Sequence, residues 1–117
     1  MVEAIFTVLY SGGKFDKTSG AAAYTYAGGL HGVGVSVTNA LSQRLECEVR
    51  RDGRTHRIVF AGGDVAEQLA VTGKATGTGT AVRIWPDPKY FDSPTIPRDE
   101  LAQLLRTKAV LLPGLRV

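Results

Sequence analysis

The sequence predicts an α+β domain in which helices pack on one face of a mainly antiparallel sheet. Three segments carry apolar residues at helical spacing, and they begin near Val2, Val33 and Leu101. Between the second and third, short alternating segments are separated by glycine-containing turns, as in antiparallel strands. The chain has 117 residues, of which 44% are hydrophobic and 21% charged, so it suits one globular domain with a modest core.

The first two helical segments flank a long irregular region. Apolar residues at positions 2, 5, 6 and 9 predict a short amphipathic helix. Residues 11–29 are rich in glycine, serine, threonine and alanine, and a loop this long in a compact domain is usually functional. The second helix is predicted over about residues 33–43, from the spacing of Val33, Val37, Ala40 and Leu41.

The central part of the chain predicts the sheet. Residues 45–51 alternate and meet Asp52-Gly53, a strong hairpin signal, after which residues 54–60 return as the partner strand. The glycines at 62 and 63 interrupt the pattern, and residues 69–72 and 80–85 are predicted as further strands. Cys47 falls at a strand position that we expect to be buried, and a lone cysteine excludes an internal disulfide.

A third helix is predicted near the end of the chain. Leucines at 101, 104 and 105 and a valine at 110 define its apolar stripe, and Asp99 and Glu100 favour its first turn. Pro113-Gly114 is expected to stop this helix, and residues 115–117 to begin another strand.

The net charge of +3 is mild, although five arginines lie close together in the sequence: Arg44, Arg50, Arg51, Arg54 and Arg57. A solvated hairpin surface explains them better than a nucleic-acid contact, because no aromatic residues interleave with them. No apolar stretch approaches the length of a membrane span and no secretion signal precedes the domain, so we expect a cytoplasmic protein without membrane contact.

The most informative stretch is the glycine run at residues 28–34, which continues directly into the second helix. Glycines allow close backbone approach to a ligand, and a following helix start offers unpaired N–H groups suited to phosphate. The run lacks the Lys-Ser or Lys-Thr pair of a P-loop, and no hydrophobic strand precedes it as in a Rossmann fold. From the residues alone, phosphate binding and a purely structural turn are both open.

The string Gly28-Gly29-Leu30-His31-Gly32-Val33-Gly34-Val35-Ser36 closely resembles the ATP-lid motif of the GHKL ATPases, in the form found in bacterial type IIA topoisomerases. The residues at 12–15, Gly-Gly-Lys-Phe, resemble the start of that lid, and those at 78–86 resemble the family's later threonine motif. Residues 50–53, 90–94 and 108–114 are more similar to the topoisomerase IV type than to the gyrase type. The resemblance covers essentially the whole chain and implies a partial GHKL (Bergerat-type) two-layer sandwich.

The resemblance also implies which residues bind the nucleotide ATP. They are Lys14, Tyr24, Gly29, Leu30, His31, Gly32, Val33, Gly34 and Thr80. Tyr26 competes with Tyr24 for contact with the base, and His31 is assigned to the phosphate loop and not to proton transfer. Arg51 is the candidate for inhibitor contact at the mouth of the pocket, with Arg50 as its neighbouring competitor.

No catalytic residue is assigned to this chain. In related domains the glutamate base, the Mg²⁺-binding asparagine and an adenine-recognising strand precede the matched region. We therefore expect an internal piece, about the second half of the ATPase domain, that binds nucleotide weakly and does not measurably hydrolyse it alone. Implied cofactors are ATP and Mg²⁺, the latter with no ligand in this chain.

The implied partners belong to the parent subunit. They are DNA, the DNA-cleavage subunit of topoisomerase IV and a second copy of the parent subunit. Three alternatives stay open: the equivalent piece of the gyrase B subunit, a stand-alone non-catalytic nucleotide-binding or interaction module, and a DNA-binding module that uses the arginines.

Overall fold

The computed structural model describes residues 34–117, which form one antiparallel sheet and two helices. In chain order the elements are helix α1 (Gly34–Ala40), strands β1 (Ser42–Arg51), β2 (Arg54–Ala61), β3 (Asp64–Lys74) and β4 (Gly79–Pro86), and helix α2 (Arg98–Leu111). The strand order is β3-β2-β1-β4, and each neighbouring pair is antiparallel. The predicted α+β class is confirmed, whereas the predicted helix at 2–9 and loop at 11–29 lie outside the described residues.

Two tight turns connect the first three strands. Asp52 and Gly53 have φ values of 55° and 75°, as a type I′ hairpin turn requires. Gly62 and Gly63 also have positive φ values, 59° and 91°, and they join β2 to β3 in the same way. The predicted interruption at 62–63 is therefore a second hairpin turn. Because this turn pairs Ala61 with Asp64 at once, β3 begins well before the predicted strand at 69–72.

Helix α1 ends earlier than predicted. The spacing favoured a helix to about residue 43, but the helix ends at Ala40 and β1 begins at Ser42. Ser42 pairs with Pro86 of β4, and the backbone oxygen of Gln43 accepts a hydrogen bond from the Gly62 N–H at 3.3 Å. Pairing with the sheet satisfies the backbone groups that a longer helix would have used.

The core lies on one face of the sheet, which we call the core face. Leu45 and Cys47 of β1 and Ile58 and Phe60 of β2 are buried there, with Val49, Val65 and Ile84 packed against them. Cys47 is 2% exposed, which confirms the predicted buried strand position, and burial raises the pKa of its thiol. Helix α1 contacts β1 and contributes the buried residues Ser36 and Asn39.

Helix α2 forms where the sequence predicts it but buries no residue. Its leucines at 101, 104 and 105 are 39%, 54% and 38% exposed, so among the described helices α1 alone supplies buried side chains. The predicted strand at 115–117 is wrong: the Leu115 N–H bonds the oxygen of Leu112 at 3.1 Å, and this local turn replaces a ladder. Neither helix of residues 34–117 has the length and apolar character needed to cross a membrane.

Candidate functional site

Within residues 34–117, the core face of the sheet is more exposed at one end, and Thr80 lies there. Antiparallel pairing sets Leu45 opposite Ile84, Cys47 opposite Val82 and Val49 opposite Thr80. Side chains alternate along a strand, so Thr80 and Val82 share the face of the buried core. Yet Thr80 is exposed and Val82 is 51% exposed, while Ile84 packs against the core. We call Val49, Thr80 and Val82 the open patch.

Helix α1 contacts β1 and leads into that strand at Ser42, which pairs with Pro86 of β4. Val49 and its partner Thr80 lie toward the other end of these strands, about 23 Å along β1 from Ser42. Within residues 34–117, the open patch therefore lies at the end of the sheet away from α1.

Strand register places Arg51 and Arg50, the two competing candidates for inhibitor contact, on opposite faces of the sheet. Arg51 is two residues beyond Val49, so backbone alternation places it on the core face, at the same end as Thr80. Its side chain is 74% exposed, with Nε 3.5 Å from Oδ2 of Asp52. Arg50 belongs to the opposite face, with its guanidinium against Gly79. The structure thus brings Arg51, and not Arg50, to the end of the face that holds Thr80.

Of the other predicted nucleotide contacts, the structure describes Gly34. It is the first residue of α1, and a Cβ built on it would meet no atom within 4 Å. The remaining predicted contacts lie outside the described residues and stay predictions: Lys14, Tyr24, Gly29, Leu30, His31, Gly32 and Val33. Tyr26, the competitor of Tyr24, lies outside them as well.

The predicted residues did not include Val82, although it stands beside Thr80 on the open patch. A half-exposed valine next to a hydroxyl offers an apolar wall and a hydrogen-bonding group together, the combination found in small-molecule sites. The signal was present in the sequence as the alternation of Thr80, Val82 and Ile84. Alternation alone predicts which face Val82 occupies but does not predict that this side chain is half-exposed there.

The opposite side of the sheet, which we call the polar face, carries an ion-pair network centred on Glu46. Its Oε1 lies 2.8 Å from Nη2 of Arg44 and 3.2 Å from Nη2 of Arg57, and Nη1 of Arg57 lies 2.9 Å from Oε2 of Glu67. The hydrogen bond from Arg44, with the charge of Arg57, lowers the pKa of Glu46 despite partial desolvation. Val59, which pairs with Glu46 and therefore lies on the same face, is fully buried.

This network bears on the arginine cluster seen in the sequence. Arg44 and Arg57 are paired with Glu46, and Arg51 contacts Asp52, so three of the five arginines have a carboxylate partner. The carboxylates of Glu46 and Asp52 partly neutralise the positive charge of these three arginines. This arrangement favours the solvated hairpin surface over a nucleic-acid contact.

Replacing Glu46 with glutamine should remove a pH-dependent part of the stability. Because the folded-state pKa lies below its ordinary 4.5, the ionised form stabilises the fold at neutral pH, and that contribution is lost as the pH falls through the lowered pKa. In urea unfolding, the free energy of unfolding of wild type should exceed that of Glu46→Gln at neutral pH. This difference should close below pH 4.5. Glu48→Gln is the matched control, since Glu48 is exposed on the same face and makes none of these ion pairs. A gap that is independent of pH would contradict the assignment.

Comparison with known proteins identifies the family. The chain is 49% identical over 99% of its length to the B subunit of DNA topoisomerase 4 from Pseudomonas aeruginosa. It is 46% identical over 99% of its length to the B subunit of DNA topoisomerase 4 from Escherichia coli, and equally to that of DNA gyrase from Thermotoga maritima. The chain belongs to the B-subunit family of bacterial type II topoisomerases. No family model matches the chain.

The match to these B subunits includes nearly the whole chain but covers a small share of each subunit. The chain spans 18% of the length of each of these three relatives. The resemblance to type II topoisomerases seen in the sequence motifs is thereby confirmed. A topoisomerase IV subunit and a gyrase subunit are both 46% identical to the chain. The comparisons therefore identify the family and do not separate the two types.

Proposed function

We propose that this chain supplies the ATP lid and one wall of the nucleotide site in a B subunit of the topoisomerase IV type. In that subunit it serves ATP-driven DNA strand passage, decatenation and relaxation. The observation that supports this most strongly is the 49% identity to a B subunit of DNA topoisomerase 4 over 99% of the chain. The equivalent piece of the gyrase B subunit is the alternative, in view of the 46% identity to such a protein.

In this proposal the glycine run and the open patch hold different parts of the nucleotide. Backbone N–H groups from Leu30 to Gly34 bind the phosphates, and Lys14 adds a positive charge. Thr80 hydrogen-bonds the adenine side, Val82 provides apolar contact to the base, and Arg51 stands at the mouth of the pocket. Tyr24 contacts the base from the lid.

Neither a metal ligand nor a hydrolytic residue is assigned to this chain. Residues 34–117 contain no group of three histidine, cysteine, aspartate or glutamate side chains that could hold a metal ion. We assign no Mg²⁺ ligand to this chain because the resemblance places that ligand before the matched region; Mg²⁺ would neutralise phosphate charge when bound with ATP. No catalytic base is assigned either, and we expect nucleotide binding by these 117 residues without measurable hydrolysis.

The proposed partners are those of the complete B subunit. They are ATP, DNA, the DNA-cleavage subunit of topoisomerase IV and a second copy of the same subunit, all in the cytoplasm. A stand-alone module without catalysis would bind nucleotide and lack these partners. Reconstitution of the complete subunit with its cleavage partner therefore separates the two functions, because decatenation is expected only for the topoisomerase.

Gly34→Val should weaken binding of a non-hydrolysable ATP analogue, in the presence of Mg²⁺, by at least about tenfold. A side chain at this position keeps the backbone from approaching phosphate closely. The space around Gly34 is open in the fold, so the variant should stay folded. Two-dimensional NMR titration of the chain measures the affinity, and shifts are expected at Gly34, Thr80 and Val82.

The matched control is Gly73→Val. Gly73 lies in β3, and a Cβ built there also meets no atom within 4 Å, but it is distant from Gly34 in sequence and two strands separate β3 from Thr80 of β4. This variant should bind the analogue like wild type. A well-dispersed wild-type spectrum that does not change with the analogue would contradict the proposed function, and so would equal affinity in the Gly34 and Gly73 variants.

A further inference from the structure

Helix α1 is a weak helix that depends on its attachment to the rest of the domain. It has seven residues, Gly-Val-Ser-Val-Thr-Asn-Ala, and no acidic residue in its first turn. Glycine, β-branched residues, serine and asparagine are all poor helix formers. Isolated helices shorter than about 12 residues are marginal in water even with better sequences. The position of α1 must therefore come from tertiary contacts.

Asn39 makes a contact of this kind between α1 and a distant part of the chain. Its side chain is 1% exposed, and its Nδ2 donates a hydrogen bond to the backbone oxygen of Gly63 at 3.1 Å. Gly63 belongs to the turn between β2 and β3 and lies 24 residues away in sequence. By contrast, the bonds from Thr38 to the Gly34 oxygen and from Ser42 to the Thr38 oxygen each span four residues.

The turn is shaped to receive this helix. Gly63 has a φ of 91°, in the left-handed region, and a Cβ built there would lie 3.4 Å from the Cα of Ala40. The backbones of the helix and the turn are therefore in close approach next to the hydrogen bond. A glycine at 63 permits both the turn and the contact.

We infer that Asn39 is a positioning residue that fastens α1 to the β2–β3 turn and thereby holds Gly34 in place for the nucleotide. This inference rests on the proposed function. Without the hydrogen bond, the half-buried Gly63 loses the Asn39 donor and the docked state of α1 becomes less populated. Apparent nucleotide affinity falls in proportion to the population of the competent state.

The test replaces Asn39 with aspartate, which has the same shape but cannot donate when ionised. Hydrogen exchange is measured without nucleotide at the Leu41 amide, which bonds the Val37 oxygen at 3.0 Å, and at the Cys47 amide in β1. Exchange at Leu41 should accelerate about tenfold while exchange at Cys47 stays unchanged. Affinity for the ATP analogue should fall about tenfold.

Thr72→Val is the matched control. It removes a side-chain bond to the Thr55 oxygen within the sheet, distant in sequence from α1, and should alter neither readout. If Asn39→Asp lowers the urea midpoint of the domain, Asn39→Ser replaces it, since the shorter hydroxyl cannot span the contact and introduces no buried charge.

The outcomes separate this inference from the proposed function. Faster exchange at Leu41 together with weaker analogue binding supports the positioning role. Unchanged exchange, or faster exchange with unchanged affinity, overturns it. If wild type binds no analogue, the proposed function and the role in nucleotide binding both fail, and the exchange data still show whether Asn39 fastens α1.

Discussion

Phe60→Ala is expected to leave most of the chain unfolded at about 37 °C. Phe60 is fully buried, and within residues 34–117 it forms a buried cluster with Leu45, Cys47 and Ile58. Removing a buried phenylalanine typically costs about 3–5 kcal/mol, through lost burial and the remaining cavity. Small domains have total stabilities of about 5–15 kcal/mol, so a loss of this size removes a large part of the total.

Thermal unfolding followed by circular dichroism measures this effect. Leu104→Ala is the control, because it removes a large apolar side chain that is 54% exposed on a helix with no buried residue. We expect that variant to lose less than about 1 kcal/mol. A Phe60→Ala chain that melts within about 5 °C of wild type would show that Phe60 does not carry the core.

Val82→Glu is expected to abolish detectable binding of the ATP analogue while the domain stays folded. The substitution replaces an apolar wall of the proposed pocket with a negative charge, which also repels the phosphates. Val82 is 51% exposed, so the longer side chain can reach solvent without entering the core. We expect an affinity loss of about a hundredfold or more, measured by NMR titration.

Ala81→Glu provides a matched control for this substitution. Ala81 is the neighbouring residue of β4, is also exposed, and belongs to the polar face because it pairs with Glu48. The same charge is thus added one residue away on the other side of the sheet. Similar affinity losses in both variants would indicate a general charge effect and would refute the placement of the site on the core face.

The success of the strand predictions follows from local chemistry. Asp52-Gly53 encodes a hairpin because both residues accept positive φ, and the residues on either side alternate strongly enough to pair in register. Cys47 was correctly placed in the core for the same reason. The motifs of residues 28–36 and 78–86 identified the family, because their order and spacing can be recognised in the sequence without knowledge of the fold.

Element boundaries required the sheet itself. Residues 40–43 satisfy a helical pattern, yet the pairing of Ser42 with Pro86 ends the helix, and no local signal encodes a partner so far along the chain. The beginning of β3 was missed in the same way, because Gly62-Gly63 reads as an interruption until the turn is closed. Long-range backbone hydrogen bonds override weak local preferences in both cases.

The sequence by itself determined the α+β class, the first hairpin, the buried cysteine and the family. Only the tertiary structure placed Arg51 on the same face and at the same end of the sheet as Thr80, and showed that Val82 is half-exposed. It also revealed the hydrogen bond from Asn39 of α1 to the distant β2–β3 turn. The reason is physical. Turn chemistry, alternation and motif spacing are properties of neighbouring residues, whereas the face that a side chain occupies, and its burial there, depend on strand register and on long-range packing.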